Sequence, residues 1–217
     1  MRKLQIIKTL NTPAKIQNFL DKVPFNFEQK GETYWSPRKA LEMRKMHCFE
    51  GAVFACWCLQ NLGIENYLMD LKVKNLKKDS DHTLCIFRIN KFWGAISKTN
   101  HSVLRWRDPI YKNYRELAMS YYHEYFLDNG QKTLKSFSKP FNIFKKFGLN
   151  LSERKIGRTR RVLGESWVEQ EEDLDEMVEV LDESPHINFV PDKNKKFIRK
   201  AGKTEIKGAS IVEWHKK

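Results

Sequence analysis

Residues 47–63 read HCFEGAVFACWCLQNLG. Phe49, Ala52, Val53, Phe54, Ala55, Cys56, Trp57, Cys58, Leu59 and Leu62 leave this stretch almost no polar face, with Glu50, Gln60 and Asn61 as the interruptions. A helix that is apolar all round is a buried one, and Gly63 supplies the residue that ends helices most readily. The pattern therefore predicts a central helix with a cysteine, Cys48, at its first turn. A free cysteine is usually a small buried hydrophobe. At a helix N-terminus it meets unpaired backbone N–H groups and partial positive charge, which lower a thiol pKa and make it a nucleophile. Arg44 and Lys45, one turn upstream, would add to that charge.

Working outward, Thr12 before Pro13 and Ser36 before Pro37 are N-cap and first-turn signals for two helices ahead of the buried one. After it, NYLMDLKV (66–73) reads as a strand. HTLCIF (82–87) and FWGAIS (92–97), separated by RINK, read as a hairpin. NYRELAMSYYHEYF (113–126) reads as a helix, with Leu117, Tyr121 and Tyr125 on one face. The expected fold class is α+β: a central buried helix packed on an antiparallel sheet. Near residue 150 the texture becomes basic, then acidic, then basic again. This divides the chain into a domain of residues 1–150 and a C-terminal extension, 151–217, packed on it. In the extension Leu174, Met177, Val178 and Leu181 recur at helical spacing.

The 217 residues are 41% hydrophobic and 12% aromatic, enough for a real core. Net charge is +13. Residues 165–184 hold ten of the 27 acidic side chains and no Lys or Arg, so the remainder carries 40 basic against 17 acidic groups, +23. Such a field favours polyanions, and a nucleic-acid-associated protein is the weaker functional alternative. The lysines are spread along the chain and not gathered in one stripe. No apolar run reaches the roughly 18 residues of a membrane helix, and the N-terminus lacks a signal peptide's apolar block and cleavage site. Four cysteines are too few for a disulfide framework in a chain of this length, which points to a reducing, cytoplasmic location. No phosphate-binding glycine loop is present. Cys56 and Cys58 make a poor metal site, lacking ligands at suitable spacing. His47 beside Cys48 is not read as a metal pair, since adjacent helical residues point apart. No cofactor and no metal are expected.

A nucleophilic cysteine needs a base and a group to orient it. His82 opens the first hairpin strand, after a polar loop. With the hairpin turn near 90–91, the position opposite His82 falls at 97–100, where Ser97, Thr99 and Asn100 stand. Asn100 is the preferred orienter, through its side-chain carbonyl. Asp108 is the carboxylate alternative, and Asp81 should point to the other sheet face. Arg105 and Arg107 flank Trp106 and are expected to pair with the acidic window or, alternatively, to bind an acidic substrate. His101 and His123 read as surface or satisfied side chains, and Tyr121, Tyr122, Tyr125 and Phe126 as core.

The stretches SPRKALEMRKMHCFEGAVFACWCLQNLG (36–63), DHTLCIFRINKFWGAISKTN (81–100) and LRWRDPIYKNYRELAMSYYHEYF (104–126) together resemble the bacterial transglutaminase-like superfamily. Within it they are similar to small members with a C-x-E-G-A helix start and a D-H strand start. The likeness spans roughly residues 33–140. It implies a papain-like core, with Cys48 as nucleophile and His82 as base. The superfamily's usual Asp, about four residues beyond a Trp, is replaced here: that count from Trp93 reaches Ser97. The resemblance implies cysteine-dependent acyl transfer, hydrolysis or transamidation, at an amide of a peptide or protein substrate. The alternative is a non-catalytic transglutaminase-like module that binds a partner.

Overall fold

Thr12 and Ser36 cap the first two helices as their positions in the sequence require. Each side-chain oxygen accepts from a backbone N–H three residues on, and a proline fills the first helical position. The structure, a computed structural model, describes residues 3–148, 154–156, 159–161 and 167–210. After a 3-10 turn at Lys3–Thr9 come α1 (Pro13–Lys22), α2 (Pro37–Met43) and α3 (Cys48–Asn61). Then follow β1 (Asn66–Val73), β2 (His82–Ile89), β3 (Phe92–Ile96), β4 (Arg107–Tyr111) and α4 (Tyr114–Tyr122). The chain continues with β5 (Leu134–Ser138), α5 (Ile143–Phe147), β6 (Arg154–Ile156), β7 (Thr159–Arg161), α6 (Asp175–Asp182), β8 (His186–Asn188) and α7 (Lys203–Ala209).

The expected α+β class is what the chain adopts. Six strands form one antiparallel sheet in the order β4-β3-β2-β1-β5-β8, and β6 and β7 pair separately. Strand alternation divides the core in two. Cys85, Phe87, Leu68 and Ile96 join the layer that holds α3, whereas Leu84, Ile86, Met69 and Leu71 join the layer under α4. With both its faces covered, β2 reads in sequence as an unbroken apolar run.

The β2–β3 hairpin turns through Asn90 and Lys91, both at positive φ (50° and 72°). Two positive-φ residues between paired strands make the turn whose twist matches the strands, and glycine suits its second position best. Lys91→Gly removes a left-handed strain of about 1–2 kcal/mol and adds roughly 0.4–1 kcal/mol of unfolded-state entropy. The expected net gain is about 0.5 kcal/mol, measurable as a higher urea midpoint at unchanged slope.

Two expectations need correction. The helix at 113–126 ends at Tyr122, because the chain then turns back to bridge Phe126 with Lys132. Tyr125 stays buried outside the helix, its hydroxyl donating to Ser80 O at 2.5 Å. Among the described residues, Arg107 does not pair with the acidic window. Arg107 meets Glu124 at 2.5 Å and lies over the Tyr121 ring, and Arg105 approaches Asp21 at 3.5 Å. The window binds elsewhere: Glu171 to Arg38, Asp173 to Lys39, Asp182 to Lys72. The segment expected as an extension shares the core, since Trp167, Leu174, Met177 and Leu181 pack into the α3 layer and β8 pairs with β5. Among the described residues, no helix is long and apolar enough to cross a membrane.

Candidate active site

Helix α3 and strand β2 start at the same end of the molecule. Cys56 Sγ lies 3.1 Å from Cys85 Sγ. From there back to Cys48 is about 12 Å of helix at 1.5 Å per residue. From Cys85 back to His82 is about 10 Å of strand at 3.3 Å per residue. The two elements run side by side in the same direction, and their first residues, Cys48 and His82, come together. Both side chains line one cavity, and His82 helps to lower the Cys48 thiol pKa.

Continuing the β2–β3 register from Cys85↔Ile96 places residue 99 opposite His82. Residues two apart share a sheet face, so Ser97 is the diagonal neighbour on the side where His82 points. His82 Nε2 and Ser97 Oγ are 2.7 Å apart. Ser97 is itself clamped by Gln17, which accepts from Ser97 N and donates to Ser97 O, both at 3.0 Å. Asn100, the residue preferred from sequence, falls on the other parity. It lines the same cavity, but no hydrogen bond joins it to His82 among the described residues. Asp108 is exposed and accepts from Trp106 Nε1 at 2.8 Å. Asp81 accepts from Val73 N and pairs with Lys72 at 3.2 Å.

His47 belongs to the site, against the expectation that it points away. It is not inside the helix but caps it: Nδ1 accepts from Phe49 N at 3.2 Å and lies 3.8 Å from Cys48 Sγ. Glu50, three residues on, accepts from His47 N at 2.9 Å and closes the reciprocal capping box. The sequence signal was the spacing H-C-F-E, a cap residue followed three places later by Glu. Glu50 is fully buried and also accepts from Thr33 Oγ1 (3.0 Å) and Trp35 N (3.4 Å). Burial pushes its carboxyl up. Lys45 and Arg44, expected to add charge here, do not line the cavity, and Lys45 stacks over Trp35.

Cys48 is half-buried, whereas Cys56, Cys58 and Cys85 are buried. Burial opposes ionisation of the Cys48 thiol. Hydrogen bonds from His47 and His82 outweigh it and bring the pKa down to about 5. The cavity that Cys48 opens into has a volume of about 680 Å³ and is also lined by Tyr34, His101, Tyr125 and Leu181. Its charge contrasts with that of the whole protein. Among the described residues, Glu28, Glu32, Asp70, Asp79, Asp81 and Asp182 line it, with Lys72 as the one lysine and no arginine. Lys72 pairs with Asp70 and Asp81 at 3.2 Å and Asp182 at 2.5 Å, so it neutralises about one of the six carboxylates. Among the described residues there is no group of three or more His, Cys, Asp or Glu placed to hold a metal ion.

No protein-family model matches the chain, and a search of curated proteins returns no match.

Proposed function

We propose that this chain is a papain-like, cysteine-dependent acyl-transfer enzyme that acts on an amide of a positively charged peptide or protein substrate. The observation that carries this reading is a half-buried thiol on the first turn of a buried helix, sharing a substrate-sized cavity with a histidine from the neighbouring strand that helps to lower its pKa. The Cys48 proton passes to an imidazole, and the thiolate adds to the amide carbonyl carbon. As the first helical residue, Cys48 has a backbone N–H with no partner inside the helix, free to donate to the carbonyl oxygen as it becomes an oxyanion. Collapse breaks the C–N bond, His82 gives the proton to the leaving amine, and a thioester remains on Cys48. Water then releases an acid, or a second amine releases a new amide. Ser97 keeps the His82 ring in position. Four free thiols in one chain fit a reducing, cytoplasmic setting.

Charge supports the substrate class. A carboxylate-lined cleft attracts a cation and repels an anion, and each tenfold preference corresponds to about 1.4 kcal/mol. The test is turnover of fluorogenic amide substrates bearing Lys or Glu beside the scissile bond. The Lys series should be preferred by about tenfold or more, the preference should shrink with added salt, and Cys48→Ser should remove turnover by at least about 10³-fold. If no cationic amide is turned over while Cys48 remains ionised at neutral pH, the acyl-transfer reading falls and a binding module takes its place.

A further inference from the structure

Two imidazoles act on the Cys48 thiol, and among the described residues carboxylates pair with only one of them. His82 is backed by the Ser97 hydroxyl, a neutral group. His47 is backed by charge. Its Nε2 lies 2.5 Å from Thr33 O, 3.5 Å from Glu28 Oε1 and 3.7 Å from Glu50 Oε1. A carbonyl oxygen can only accept, so His47 Nε2 carries a proton, and the second nitrogen, Nδ1, faces the sulfur. The other titratable groups around the site are Tyr34 and Tyr125, whose phenols are pushed up mainly by burial, His101, whose imidazole is pushed down mainly by burial, and Glu32, Asp70, Asp79, Asp81 and Asp182 with Lys72.

We propose that His47 is the resting proton acceptor of Cys48. The S–H bond breaks, an N–H bond forms at His47 Nδ1, and the imidazolium is held by Glu28, Glu50 and the Thr33 carbonyl. The pair stays in exchange with the neutral thiol, from which His82 draws the same proton once substrate is bound. Nδ1 cannot carry a proton and accept from Phe49 N–H at once. Forming the pair therefore releases that first-turn N–H, whose partial charge then adds to the field at the thiolate. Burial opposes charge on His47, but Cys48, Glu50 and Glu28 together raise its pKa to about 10. The use of this thiolate in turnover rests on the acyl-transfer reading; the thiolate itself does not.

The test follows ionisation of Cys48 by thiolate ultraviolet absorbance and by iodoacetamide labelling against pH, in the full chain. Variants are His47→Asn, His82→Asn, the double variant and Glu28→Gln. Asparagine is among the best N-caps and does not titrate, so His47→Asn keeps the helix start while removing the acceptor. The expected result is a midpoint within about one pH unit of wild type in His82→Asn, at least about two units higher in His47→Asn, and near the ordinary 8.5 in the double variant. Glu28→Gln, which leaves the cap intact, should raise the midpoint by roughly half a unit to one unit. The proposal is overturned if His82→Asn alone moves the midpoint to about 8.5 while His47→Asn and Glu28→Gln leave it in place. Amide turnover is a separate readout: its absence with the ionisation pattern intact counts against acyl transfer and not against the role of His47.

Discussion

Iodoacetamide is expected to modify Cys48 alone in the folded protein, at a rate nearly flat from about pH 6 upward. The thiolate is the reacting species. With a pKa of about 5, roughly nine-tenths of Cys48 is ionised at pH 6, against about 0.3% of a thiol at the ordinary 8.5. That is a ratio of about 300. A low-pKa thiolate is also a weaker nucleophile, by a factor of about 40 over this interval if the Brønsted coefficient is 0.4–0.5. Cys48 should therefore react about sevenfold faster than a small-molecule thiol at pH 6 and about 40-fold slower at pH 10, with the two curves crossing near pH 7. Cys56, Cys58 and Cys85 are 0% exposed and should stay silent until the protein unfolds. A Cys48 rate that climbs with a midpoint near 8.5 would show that neither imidazole acts on the sulfur.

Gly51→Ala should destabilise the protein by about 2 kcal/mol or more, although alanine is the better helix former. A Cβ on Gly51 would lie 2.3 Å from Lys98 Cβ and 3.0 Å from Lys98 Cγ. The contact is at the root of the lysine, so no rotation about its outer bonds relieves it. The far end is fixed as well: Lys98 is 1% exposed, and its ammonium donates to Leu20 O at 3.1 Å and Val23 O at 2.5 Å. Backbone must move, at a cost of about 3 kcal/mol or more, against about 1 kcal/mol gained from helix propensity. For a chain of this size the melting temperature should fall by roughly 5 °C or more. The residue next to Lys98 is Ser97, the partner of His82, so the shift should also slow Cys48 alkylation at pH 6. A variant that melts at or above the wild-type temperature would mean that the helix and the loop are not as close as described.

Much of the architecture was legible because local signals and tertiary demands agreed. The two Ser/Thr-Pro helix starts, the apolar run of α3, the strand at 66–73 and the hairpin each follow from capping, periodicity or turn chemistry at their own positions. The site was half legible. Cys48 and His82 stand at element starts, where side chains reach a cleft. The hydrogen-bond partner of His82 lies within the expected window, 97–100, and the two-residue period of the strand, which separates 97 and 99 from 98 and 100, makes it Ser97 and not Asn100. His47 was missed because it was treated as a helix-interior residue, for which a neighbour points away; a cap residue has extended backbone (φ −96°, ψ −168°) and obeys a different geometry. The ion pairs of the acidic window could not be read at all, since they join residues more than a hundred apart. Strand β8 is three residues long, and only its pairing with β5 makes it a strand.

That pairing has a consequence for the order in which the protein is made. β5 is an outer strand of the sheet until β8 arrives, and its neighbour is encoded far downstream. At roughly 5–20 residues per second, a ribosome needs roughly 2–10 s to travel from Ser138 to His186. Throughout that interval the nascent chain presents an unpaired strand edge of the kind that seeds intermolecular pairing, which makes it a natural client for chaperones. Val178, Leu181 and Asp182, which wall the Cys48 cavity, emerge in the same late segment. The thiol is therefore synthesised early and enclosed late, and a truncated translation product would carry Cys48 without these walls of its cavity.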